Sequence, residues 1–151
     1  MKGKNMIIRR LCEDDIPPLA HMVKANWSRG DAEHFISEAE CSFASYAWRP
    51  HFYTAEIDGV PVGCAAHVPN WISWGGYSLA WVGVFPSHQG QGIGRKLVNR
   101  CIDDIRARGT LIMLSTYVPE FYAKNWGFKK LQDFVGNDDK PSVLMSLDLR
   151  S

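Results

Sequence analysis

The chain has 151 residues, of which 46% are apolar, 22% charged and 12% aromatic, so a single domain over residues 1–151 with one hydrophobic core is expected and a disordered chain is excluded. Seventeen basic against sixteen acidic residues leave a formal charge of +1, without the basic surplus that phosphate-backbone binding needs, so no nucleic-acid partner is expected. No run approaches 18 apolar residues and the start "MKGKNMIIRRLCEDD" holds no apolar leader core, so no membrane partner is expected and a cytoplasmic protein is.

In chain order, "MIIRRL" from Met6 to Leu11 reads as a short strand. Asp14-Asp15-Ile16-Pro17-Pro18 then marks a helix start with proline in its first turn, leading into "LAHMVKANW". Over residues 31–47, Phe35, Ile36, Ala39, Phe43 and Tyr46 recur at helical spacing and predict a second helix. Its acidic residues Glu33, Glu38 and Glu40 read as a solvated face, although they would also attract a cationic amine.

Asp58-Gly59 between two strand-like runs predicts a hairpin pairing Phe52–Ile57 with Val60–Val68. After the turn "NWISWGG", the run "YSLAWVGVF" is apolar on both sides and reads as a central strand. From Gly92 to Arg108, Ile93, Leu97, Val98, Cys101, Ile102 and Ile105 make one apolar stripe, an amphipathic helix ended by Gly109. "TLIMLST" is then a buried strand, "PEFYAKNWG" a short helix stopped by Gly127, and "FKKLQDFVG" and "SVLMSLDL" a closing strand pair. The order β-α-α-β-β-β-α-β-α-β-β implies an α+β fold, a mixed sheet with about four helices packed on it.

Four cysteines, Cys12, Cys41, Cys64 and Cys101, show no C-x-x-C and no histidine at ligand spacing, so free thiols and no metal are expected. The stretch "HQGQGIGRKLV" carries three glycines directly before a helix. It is no dinucleotide fingerprint, because Arg95 falls where the third glycine belongs, and no phosphate loop of the G-x-x-x-x-G-K-[ST] kind, because Leu97 follows Lys96. What remains is a strand, a bare turn and a helix start, where backbone N–H groups and the helix dipole favour an anion such as a diphosphate.

These residues resemble a known family. "VGVFPSHQGQGIGRKLV", with Gln89, Gly90, Gln91, Gly92, Ile93 and Gly94 fitting the pattern Q/R-x-x-G-x-G/A, is similar to motif A of the GNAT superfamily of N-acetyltransferases, and "PEFYAKNWGF" resembles its motif B. The resemblance implies a mostly antiparallel sheet, splayed where acetyl-CoA binds as cosubstrate. It also implies that the backbone from Gln89 to Arg95 holds the diphosphate, while Val82 and Val84 pair with the pantetheine arm. Dimers are common in the family, so a homodimer is possible.

Acetyl transfer to an amine needs a neutral amine, a donor for the oxyanion and a proton for the leaving thiolate. By resemblance the oxyanion donor is the Val84 N–H and the acid is Tyr122, with Tyr117 in reserve. Four residues, Ala123 to Trp126, separate Tyr122 from Gly127 where the family has three, which implies a bulge or shift in that helix. No acid occurs in "YSLAWVGV" to serve as base, leaving a water relay with His67 or His88 as drain. Trp71 and Trp74 are expected to line the acceptor pocket. Cys64 or Cys101 would serve as nucleophile only in a ping-pong scheme. A non-catalytic acyl-CoA sensor is the alternative reading, and the acceptor, whether small molecule or peptide, stays open.

Overall fold

The structure, a computed structural model, describes residues 5–150. Seven strands form one sheet in the order β1-β2-β3-β4-β5-β7-β6, with β1 Met6–Arg10, β2 His51–Ile57, β3 Val60–Pro69, β4 Gly76–Val84, β5 Leu111–Thr116, β6 Lys129–Val135 and β7 Pro141–Asp148. Four α-helices pack on it: α1 Ile16–Asn26, α2 Arg29–Cys41, α3 Ile93–Arg106 and α4 Pro119–Trp126. The α+β class, the mixed sheet and the helix number agree with expectation. Every neighbouring pair runs antiparallel except β4 with β5.

Strand alternation sorts the side chains into two cores. Tyr53, Ala55, Leu79, Ile112 and Met145 meet the apolar stripe of α3 on one face, together with Tyr122 of α4. Phe52, Cys64 and Ala66 meet Leu19, Met22 and Phe35 of α1 and α2 on the other. All six stripe positions of α3 are buried. At about 1.5–3 kcal/mol for a fully buried large apolar side chain, they fix the helix on the sheet and so fix where its N-terminus points.

Local chemistry sets the boundaries. Pro17 and Pro18 occupy the first turn of α1, where their missing N–H groups cost nothing. Asp58 and Gly59 both take positive φ in the β2–β3 turn, as a type I′ hairpin requires. The second helix is shorter than its apolar spacing predicts. It starts at Arg29, where the Ser28 side chain accepts from the Asp31 N–H, and ends at Cys41. Ser42 then donates its hydroxyl to the Ala39 carbonyl, and Phe43 and Tyr46 lie exposed beyond the helix.

Two irregularities in β4 shape the middle of the sheet. Trp81 has φ +54°, and the β3–β4 register slips between Cys64↔Gly83 and Ala66↔Ala80, a bulge that bends the strand. The Trp81 carbonyl takes the Cys64 thiol as donor at 3.2 Å. Its indole is held edge-on by Trp27 and Phe35, and its Nε1–H donates to Glu38 of α2 at 2.6 Å. On the other side, β4 pairs with β5 only from Gly76 to Ser78. Beyond Ser78 the two strands part, and the sheet is split.

Candidate active site

The split opens into two adjoining cavities. One, of about 710 Å³, lies against the N-terminus of α3 and is lined by Val82, Gly83, Val84, the loop from His88 to Arg95, Phe121 and Asn125. The other, of about 510 Å³, lies between β4 and β5 and is lined by Trp81, Leu114, Tyr117, Tyr122, Asp31 and Lys140 among others. Asn26, Trp27, Val82 and Val118 line both, which makes them the junction.

At the first cavity the glycines have a conformational reason. Gly90 and Gly92 take φ +81° and +80°, backbone that side chains with a Cβ rarely adopt. Gly92 caps α3, so the N–H groups of the first helical turn have no partner inside the helix and face an incoming group. Gly83 has a different reason: a Cβ there would sit 2.9 Å from Met22 Sδ and from Trp27, so a larger residue would force those side chains of α1 and its C-cap to shift.

The main chain of β4 turns toward the cavities. Phe85 donates its N–H to the Val62 carbonyl at 2.8 Å. In an antiparallel ladder neighbouring residues alternate, so the N–H and C=O of Val84 point away from β3 and into the split. The Val84 carbonyl accepts Asn26 Nδ2 at 2.9 Å and Gln89 Nε2 at 3.1 Å. Both side chains thereby tie the glycine loop and α1 to β4 on the side of the strand that the Val84 N–H faces.

Tyr122 reaches the second cavity from α4, which is helical from Pro119 to Trp126 and closes on Gly127 at φ +79°. No bulge is needed to bring it there. Burial pushes its phenol well above the ordinary value. Tyr117 is exposed, donates to Asp138 and, chiefly through that bond, is pushed up to about 12.

The remaining sequence candidates lie elsewhere. His88 lines the first cavity and pairs with Ser87. His67 sits under α3, its Nε2 3.1 Å from Asp104 and its ring stacked on His51, and it lines neither cavity of the split. Cys64 and Cys101 are buried, and burial raises both thiols far above the ordinary value, so neither supplies a thiolate. Trp71 and Trp74 are 89% and 95% exposed in the β3–β4 loop, next to Trp48 at the opposite end of β4. Asn26, Asn125, Asp31 and Lys140 carry no local sequence signal: each reaches the split from a different element. Among the described residues no group of three His, Cys, Asp or Glu could hold a metal.

The sequence profile of the acetyltransferase (GNAT) family matches residues 16–128, three quarters of the chain. The chain belongs to the GNAT family. A stretch of 64 residues is 39% identical to an L-methionine sulfoximine/L-methionine sulfone acetyltransferase of Salmonella typhimurium, covering 40% of this chain and 37% of that enzyme. The fold is shared with a protein of Desulfovibrio desulfuricans assigned to the GNAT family, with TM-score 0.82 and 21% identity over 96% of this chain and 99% of that one. It is also shared with an aminoglycoside 6′-N-acetyltransferase solved with coenzyme A, with TM-score 0.78 and 19% identity over 95% and 97% of the two chains. YncA of Salmonella typhimurium, solved with acetyl-CoA, superposes with TM-score 0.75 and 22% identity over 95% and 94%. GNAT enzymes use acetyl-CoA, and in this GNAT chain the split β4–β5 pair and the glycine loop line two adjoining cavities.

Proposed function

We propose that the protein transfers an acetyl group from acetyl-CoA directly to a primary amine. The observation that carries this reading is the junction of the two cavities at Val82, where the first cavity, which Val84 also lines, has the helix N–H groups of α3 and the second has a phenol. The diphosphate of the cosubstrate lies on the backbone from Gln89 to Arg95, and its extended, amide-bearing arm adds to β4 along Val82 and Val84. The acetyl carbonyl then meets the Val84 N–H, a donor already oriented by the strand, and the negative charge that develops on its oxygen is stabilised there.

The amine nitrogen attacks the thioester carbon, the C–N bond forms and the C–S bond breaks. The amine gives up its proton to water in the open cavity, since β4 carries no carboxylate. The thiolate takes its proton from Tyr122, whose raised phenol is fully protonated at neutral pH. No acyl-enzyme forms, in keeping with the two buried thiols.

Incubating the protein with acetyl-CoA and a panel of amines, and following free thiol, tests the reading. Thiol release above hydrolysis, with sequential kinetics, is expected. Tight acetyl-CoA binding without release from any amine would instead make the protein an acyl-CoA sensor.

A further inference from the structure

The second cavity has two charged side chains in its lining among the described residues, and they are of opposite sign: Asp31 and Lys140. They stand on opposite sides of the split. Asp31 is in the first turn of α2, on the β4 side, because α2 is fastened to β4 through Glu38 and Phe35 against Trp81. Lys140 precedes β7, which pairs with β5, so it belongs to the other bank.

The carboxylate of Asp31 and the main chain at Lys140 are each held by a hydrogen bond. Ser28 Oγ donates to Asp31 Oδ2 at 2.5 Å while the Asp31 N–H donates back to Ser28 Oγ at 3.0 Å. The Lys140 N–H donates to Asp138 Oδ1 at 3.0 Å, and Asp138 in turn accepts the Tyr117 hydroxyl on the far wall. The turn that carries Lys140 is thus moored to the β5–α4 corner. The same lining has an apolar and aromatic part, Trp27, Trp81, Leu79 and Leu114, beside the uncharged polar residues Asn26, Ser115, Thr116 and Ser142.

Resting on the acetyl-transfer reading above, we infer that the acceptor is a zwitterionic amine, a free amino acid or close analogue with an apolar body, its ammonium drawn to Asp31 and its carboxylate to Lys140. A polyamine or aminoglycoside brings several cations to a cavity whose lining has one carboxylate and sets one of them against Lys140. A simple alkylamine leaves Lys140 without a counter-charge. The amino-acid acceptor satisfies both groups, and its carboxylate also fixes which way the amine faces β4.

The test compares matched acceptors in the thiol-release assay: L-leucine against isoamylamine, L-phenylalanine against phenethylamine, and spermidine and kanamycin as polycations. The kcat/KM for the amino acids should exceed that of their decarboxylated partners by about tenfold or more, the worth of one charge-assisted contact. Lys140→Met should collapse that ratio toward one, and Lys140→Arg should keep it. A ratio unmoved by Lys140→Met, or polycations acetylated in preference to the amino acids, overturns this inference and leaves acetyl transfer standing. Silence with every acceptor overturns the transfer reading itself, and this inference falls with it.

Discussion

Tyr122 and Asn26 approach the split from opposite walls, and their visibility in the sequence differs for a physical reason. Tyr122 lies in a helix whose proline start and glycine stop are written within ten residues, so its place follows from local pattern. Asn26 is the last residue of α1 and matters because its amide reaches the Val84 carbonyl, 58 positions away. No spacing rule encodes such a contact. For Tyr122 the expectation is definite: Tyr122→Phe keeps the ring packing against Phe121, Trp126 and Phe128 and removes only the hydroxyl. Turnover should fall by roughly 10²-fold, within the usual range for a general acid, while acetyl-CoA affinity measured by calorimetry changes less than about twofold. An unchanged turnover would move the acid elsewhere, with Tyr117 the next candidate.

At the scale of elements, α3 was fully legible, because its apolar stripe and flanking glycines all point to one helix. β4 was legible as a strand and illegible as a bent one. "YSLAWVGVF" reads as one strand, and the positive φ at Trp81 goes with contacts of its indole to Trp27, Phe35 and Glu38, which are tertiary information. The overlong second helix is the converse case: Phe43 and Tyr46 continued the helical period, but Ser42 turns back on Ala39 and the apolar residues beyond it find no core. The contact between α1 and β4 supplies a second prediction. Gly83→Ala puts a Cβ into Met22 and Trp27, and Trp27 lies at the junction of the two cavities. Overpacking of this kind should cost about 1–3 kcal/mol in urea denaturation and also raise the KM for acetyl-CoA. A variant with wild-type stability would mean that α1 gives way more freely than its packing indicates.

Over the whole molecule, one sheet separates two jobs. The split end holds the cavities, and the other end is closed by α3 over a stacked histidine pair, His51 and His67. Burial, then His67 and the arginines Arg10, Arg49 and Arg108, hold His51 down at about 4, and burial also lowers His67 against the opposing pull of Asp104. Because both folded values lie below the ordinary 6.5, the unfolded chain takes up these protons first. Their contribution is complete above about pH 6.5 and is lost as the pH falls toward 4. Asp15 acts in a lower window. Burial alone would raise it, but bonds from Arg9, Cys12 and Thr54 win and hold it at about 2, so its contribution is lost only below the ordinary 3.8. Thermal midpoints should therefore fall between pH 6.5 and 4, and His51→Gln should flatten that slope while leaving the further loss below the ordinary 3.8 of Asp15. An unaltered slope in His51→Gln would place the titrating group elsewhere.

The coenzyme's seat is the claim on which the rest depends, and a crystal structure with acetyl-CoA bound examines it most directly. The account predicts the diphosphate against the N–H groups between Gln89 and Arg95, the pantetheine arm running beside Val82 and Val84, and the acetyl oxygen within hydrogen-bond distance of the Val84 N–H. A diphosphate bound away from the α3 N-terminus, or an arm that does not follow β4, would contradict it.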